Sequence, residues 1–293
     1  DRITTTKLLD SARKLMELLH SFTNQLGLIN KPPYPYWLDH ANLDRAGANF
    51  TLNAHYLGAL EDFSQLLKWL EEDETNIFSE RANLLRGSMR EYFWNENEGL
   101  FADAFLESGL SHKYSEHSNG MALALKIASA DQGKSIVKKL LAHEPNLFIK
   151  RSTGMTIVTP ALSYFLHQGI AYYGDVDASF DLMRKRFDHM LASQHNGTLW
   201  EEWWLDGTGR SGKFDPRQTR SDAQTESAFI PALFAEFLLG VKPTKPGMTE
   251  MSIELPQTKI KKINSTIPSP LGRVLVKWNR NLNKNKTLQL DIP

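Results

Sequence analysis

The chain has 293 residues, 34 basic and 34 acidic side chains, and no cysteine. That length can bury a substantial core as one large domain or two smaller ones, and the balanced charge gives no global field favouring nucleic acid or an anionic membrane. Without cysteine there are no disulfides, no thiolate metal sites and no Cys nucleophile, and no apolar run approaches the ~20 residues that span a bilayer.

Leu8, Leu9, Ala12, Leu15, Met16, Leu18, Leu19 and Phe22 follow the spacing of a helix face after a Thr-rich start. Pro32, Pro33 and Pro35 then forbid helix and give an extended connector into Tyr36-Trp37-Leu38-Asp39-His40. Helices are expected over 50–70 and 76–93, and the Asn97-Glu98-Gly99 turn leads into an extended segment over 100–105. Further helices are expected over 115–128, 132–143 with Asp131 as cap, and 156–172 with Pro160 in its first turn. The last two run over 175–191 and 222–239, the latter ended by Gly240 and Pro243. From Met248 the period changes to alternation: Met251, Ile253 and Leu255; Val274, Val276 and Trp278; Leu288, Leu290 and Ile292. This predicts a helical body over 1–243 and a small antiparallel β-sandwich region over 248–293, joined by a Lys/Pro-rich linker. Helix–short loop–helix without a fixed repeat favours a bundle or a closed α/α toroid over a regular solenoid.

The segment with the most chemistry is Thr198-Leu199-Trp200-Glu201-Glu202-Trp203-Trp204. Aromatic walls desolvate a carboxylate and raise its pKa toward that of a working acid or base. Indole faces also stack on the C–H faces of sugars, so the composition suits a carbohydrate site as well as a core cluster. Gly207-Thr208-Gly209-Arg210-Ser211-Gly212 matches the dinucleotide-binding glycine pattern, but no strand leads in and no helix comes after it, so it reads as a loop. No His pair has metal-ligand spacing on a helix, and no Gly-x-Ser-x-Gly elbow is present; no metal and no cofactor are expected. Asp39 reads as a second cleft carboxylate, or as a cap or partner of Arg45. Asp222 reads locally as a cap, and Glu226 could face cleft or solvent.

In order, these motifs resemble α-L-rhamnosidases of glycoside hydrolase family 78. Thr198-Leu199-Trp200-Glu201-Glu202-Trp203 is similar to that family's Thr-x-Trp-Glu-x-Trp segment. Ser152-Thr153-Gly154-Met155-Thr156 with Pro160-Ala161-Leu162, and Gly174-Asp175, resemble the family's segments on the N-terminal side of that motif. Arg220-Ser221-Asp222 and Leu239 to Gly247 resemble those on its C-terminal side. Tyr36-Trp37-Leu38-Asp39-His40 is similar to the family's aromatic-Asp-Trp connector, with His40 in place of the Trp. Gln224 stands where relatives place a His, and Glu226 where they often place a Trp. The resemblance implies a mainly α chain: an (α/α)6 toroid lacking its first helices, with the β-sandwich region after it. It implies inverting hydrolysis of terminal α-L-rhamnosides or related sugars, with Glu201 as general base. Trp37, Asp39, His40, Trp200, Glu202, Trp203, Asp222 and Gln224 would shape the sugar pocket. The family's general acid lies upstream of every segment matched here, so the chain carries the base without the acid. The partner implied is a carbohydrate, with no nucleic acid or membrane; a periplasmic or secreted location is favoured over a cytoplasmic one. The alternatives are a carbohydrate-binding or inactive relative, and a polysaccharide lyase on a similar toroid.

Overall fold

The computed structural model describes residues 2–39, 41–142, 154–173, 175–191, 197–201, 221, 223–280 and 286–292. Among them are eight α-helices and, after the helices, an antiparallel β region. None of these helices is long and apolar enough to cross a membrane.

Helix α1 (Arg2–Ser21) buries Leu9 and Met16 but leaves Leu8, Leu15 and Leu18 exposed, so the apolar stripe legible there is split between core and surface. Helix α2 (Phe50–Leu70) is capped by Asn49, whose side chain accepts from Leu52 N–H. It buries Phe50, Leu57, Leu60 and Leu67 almost completely, and each such large side chain contributes about 1.5–3 kcal/mol. Helices α3 (Thr75–Tyr92), α4 (Glu116–Ala124), α5 (Ala130–Leu140), α6 (Tyr164–Tyr172), α7 (Val176–Leu191) and α8 (Ile230–Phe237) complete the helical body.

They fall into two rows. Helix α4 packs on both α2 and α6, and α6 on α8, while α3, α5 and α7 back onto α2, α4 and α6 in turn. Burial matches the rows: all nine residues of α4 are buried, whereas α5 buries only Gly133, Ile136 and Leu140. Ser129 caps α5 in a reciprocal capping box with Gln132, in place of the Asp131 cap expected from sequence.

Two departures from the expected helices have a local cause. The segment at Thr156 pairs with Ser115 in a parallel bridge, so α6 begins only at Tyr164, after Pro160. Likewise the helix expected over 222–239 is a 3-10 turn at Thr225–Ser227 and then α8, which admits Pro231 in its first turn.

Short strands brace the connectors. β1 (Ala48–Asn49), β4 (Ala104–Leu106) and β5 (Gly109–Leu110) form one small sheet, and β2 (Trp94–Asn95) pairs with β3 (Leu100–Phe101). β6 (Val241–Pro243) pairs with β7 (Met251–Ile253), and Gly240 before them, at φ +70°, leaves no room for a Cβ against the Glu254 carbonyl. The last sheet has the order β10 (Lys286–Asp291), β9 (Gly272–Arg280), β8 (Lys262–Ser269). Strand β8, with only two isoleucines and Pro268, carries no strand signal in the sequence; as an edge strand it tolerates the proline. Val274, Val276 and Trp278 join Leu239 and Val241 in a separate core under this sheet.

Candidate active site

Each of α2, α4, α6 and α8 is entered through an irregular connector, and buried polar side chains tie these connectors together. Asn53 on α2 grips Ile29: its Oδ1 accepts from Ile29 N–H at 2.8 Å and its Nδ2 donates to Ile29 O at 3.0 Å. Asn119 on α4 grips Phe101 in the same way, at 2.9 and 3.0 Å. An amide side chain offers a donor and an acceptor together, so it can stand in for a strand neighbour.

Asp103, in the connector before α4, accepts from Ser115 Oγ at 2.6 Å and Ser118 Oγ at 2.7 Å. Burial pushes its carboxyl up, against the lowering effect of the two hydroxyls.

Asp39 is buried, and its carboxyl group is taken by two partners distant in sequence. His117 Nε2 hydrogen-bonds to Oδ2, while Thr159 donates its hydroxyl at 3.0 Å to both oxygens and its N–H at 3.3 Å. Arg45, offered by sequence as an ion-pair partner, instead holds the Asp39 backbone carbonyl at 2.6 Å. Trp37, two residues earlier, is 63% exposed. The aromatic connector is therefore pinned through Asp39 to α4 and to the connector before α6, with its Trp toward solvent.

Beside this knot lies a buried ion pair. Arg186 on α7 donates to both oxygens of Glu116 on α4 at 2.7 Å, with both side chains fully buried, and Val158 N–H adds a third bond at 3.1 Å. His167 on α6, also fully buried, has its pKa lowered to about 3, first by burial and then by Arg186, so it stays neutral. The sequence does not single out His117, Thr159, Glu116 or Arg186. One signal exists: Arg186 lies between Met183 and Met190 at helical spacing, a charge on an apolar face.

Of the motif around Glu201, Trp200 is buried with Ile157, Phe187 and Leu233 in a second helical core. Its carbonyl accepts from Ser227 Oγ at 2.8 Å. Glu201 is half-buried, and its N–H donates to Ser221 O at 3.1 Å; Gln224 N–H donates to Leu199 O at 2.8 Å. The chain around 199–201 is thus paired with that around 221–224, and Ile157 links their core to the Thr159 connector. Glu226 is exposed. His40, Glu202, Trp203, Asp222 and the glycine-rich loop lie outside the described residues. Among the described residues no cluster of three or more potential metal ligands occurs.

The comparisons with known proteins bear on this arrangement. A family 78 rhamnosidase of Bacillus sp. GL1 superposes with a TM-score of 0.82 over 98% of the chain, at 21% identity. The fold is that of the family 78 rhamnosidases. The Klebsiella oxytoca rhamnosidase with rhamnose bound matches over 80% of the chain at 16% identity and a TM-score of 0.63. The Streptomyces avermitilis α-L-rhamnosidase complexed with L-rhamnose matches over 100% at 15% identity and 0.64. The chain covers 30%, 42% and 27% of these three proteins. By sequence, the bacterial α-L-rhamnosidase C-terminal domain matches residues 240–293, and the trehalase family matches residues 47–161. No curated protein sequence matches the chain. The rhamnosidase-like chain thus carries glycoside hydrolase signatures in both its helical body and its C-terminal region, and its resemblance to that class stands on fold as well as on motif.

Proposed function

We propose that this rhamnosidase-like chain is the catalytic portion of an inverting glycosidase that removes terminal α-L-rhamnose or a related sugar. Its helices form most of an (α/α)6 toroid over residues 1–243, and residues 248–293 belong to a C-terminal β-sandwich. The two-row packing of helices supports the toroid. The observation that carries the reading is Glu201: half-buried, on a paired connector entering α8, its neighbour Trp200 sharing a core with the connector that holds Asp39. Glu201 is the general base that activates water, and Trp37, His40, Glu202, Trp203, Asp222 and Gln224 surround the sugar. Asp39 belongs to the same pocket: His117 and Thr159 hold its carboxyl group and Arg45 its backbone carbonyl, which fixes the connector that carries Trp37. Inversion needs a second carboxyl group about 6.5–9.5 Å away to protonate the leaving oxygen, a role that the resemblance gives to a residue upstream of these motifs.

The test compares this chain with a version extended upstream, on aryl α-L-rhamnosides. In the extended protein, Glu201→Gln should lower kcat by about 10²–10⁴ and Glu202→Gln much less. The product's first-formed anomer, read by NMR, should be inverted. Full activity of Glu201→Gln beside an inactive Glu202→Gln would move the base to Glu202. Release of an unsaturated, ultraviolet-absorbing product would mark a lyase instead.

A further inference from the structure

The chain's zero net charge is the sum of two unlike parts. Residues 259–293 hold eight of the 34 basic side chains and one of the 34 acidic ones, a net +7; residues 1–258 hold the other 26 and 33, a net −7. Such segregation within one chain is a signature of a charged partner.

The register of the last sheet decides what part of this charge shares a surface. Val274, Val276 and Trp278 of β9 face the core, so the alternate residues face outward. Pairing sets Lys262, Asn279 and Thr287 in one row across β8, β9 and β10, and Asn264, Lys277 and Gln289 in the next. These six residues line a shallow groove of about 470 Å³. The next row on this face is Thr266, Leu275 and the exposed Asp291, and Arg273 lies exposed beyond it on β9, so the face carries three cations and one carboxylate. The two lysines are diagonal neighbours, roughly 7–8 Å apart at the backbone. Neither makes an ion pair among the described residues.

We propose that this outer face binds an anionic polysaccharide, one carrying uronate or sulfate groups. Three amides and a threonine offer paired donors and acceptors to sugar hydroxyls, and each lysine is a point charge for a carboxylate or sulfate. Among the described residues the face has no exposed aromatic ring on which nucleobases could stack, Trp278 being buried beneath it; its apolar side chains, the half-buried Leu275 and the exposed turn residue Leu271, are two isolated leucines and not a bilayer-anchoring patch. The acidic helical body repels a polyanion, which confines binding to the sheet. This surface is separate from Glu201, so its occupancy does not depend on hydrolysis.

The test measures binding of the whole chain to polygalacturonate, with dextran, duplex DNA and vesicles of phosphatidylcholine and phosphatidylserine as comparisons. Polygalacturonate should bind at roughly 20 mM salt and weaken steeply by roughly 300 mM, as screening shortens the reach of the charges. The double variant Lys262→Glu/Lys277→Glu should bind roughly tenfold or more weakly, with an unchanged circular dichroism spectrum. Asn264→Ala/Gln289→Ala should weaken binding while leaving its salt dependence intact. Equal retention of dextran, unchanged binding by the lysine variant, or tighter binding of DNA or vesicles than of polygalacturonate would each overturn the proposal.

Discussion

Replacing Arg186 by Met tests whether the knot of buried polar groups is what holds the connectors. The guanidinium and the Glu116 carboxyl group are both fully buried and share two 2.7 Å hydrogen bonds. Removing the cation strands a carboxylate in the protein interior, a loss of about 3–5 kcal/mol. Against the 5–15 kcal/mol typical of folded domains, that is a large share (about a fifth or more). Urea denaturation monitored by far-ultraviolet circular dichroism at pH 7 measures it, the midpoint falling at unchanged slope. The double variant Glu116→Leu/Arg186→Met removes both charges at similar volume and should lie within about 1–2 kcal/mol of the parent protein. The resulting coupling in the double-mutant cycle is therefore several kcal/mol. In Arg186→Met alone, burial without a cation raises the Glu116 carboxyl toward protonation, so the loss relative to the parent should be smaller at pH 5 than at pH 7. A cost below about 1 kcal/mol for the single variant, or a double variant as unstable as the single, would refute the reasoning.

Two further outcomes are expected. His167 titrates at about 3 in the folded chain and near 6.5 when unfolded, so the unfolded state binds its proton first as pH falls. Its contribution is intact above about pH 6.5 and lost on acidification, about 2 kcal/mol between pH 7 and pH 5. Denaturation of His167→Phe at both pH values should show that part of the slope missing, and an unchanged slope would rule it out. Asp39→Asn replaces an acceptor-only group facing the Thr159 N–H and hydroxyl and His117 Nε2. It should lower stability by about 1–3 kcal/mol. If the proposed sugar pocket is right, in the upstream-extended protein it should raise KM for rhamnosides more than it lowers kcat, because the connector that Asp39 pins carries Trp37.

The helices of this chain are legible because each hides an apolar stripe whose 3.6-residue period is written locally. Expected boundaries match closely at Phe50–Leu70, and differ at Thr156, where pairing with Ser115 replaces helix, and at Thr225–Ser227, where a 3-10 turn does. The Trp-Glu motif and its resemblance to rhamnosidases are likewise local. Partners are not. Asp39 meets His117 across 78 residues and Thr159 across 120, and Glu116 meets Arg186 across 70. No spacing rule encodes such contacts, since they arise only when separate helices pack side by side. A buried carboxyl group must find donors wherever packing brings them, and in the fold that of Asp39 anchors its connector to His117 and Thr159. Charge shows the division most plainly. The basic residues from Lys259 onward can be counted in the sequence, but only strand register decides that Lys262 and Lys277 share a face, because a slip of one residue would turn either toward the core.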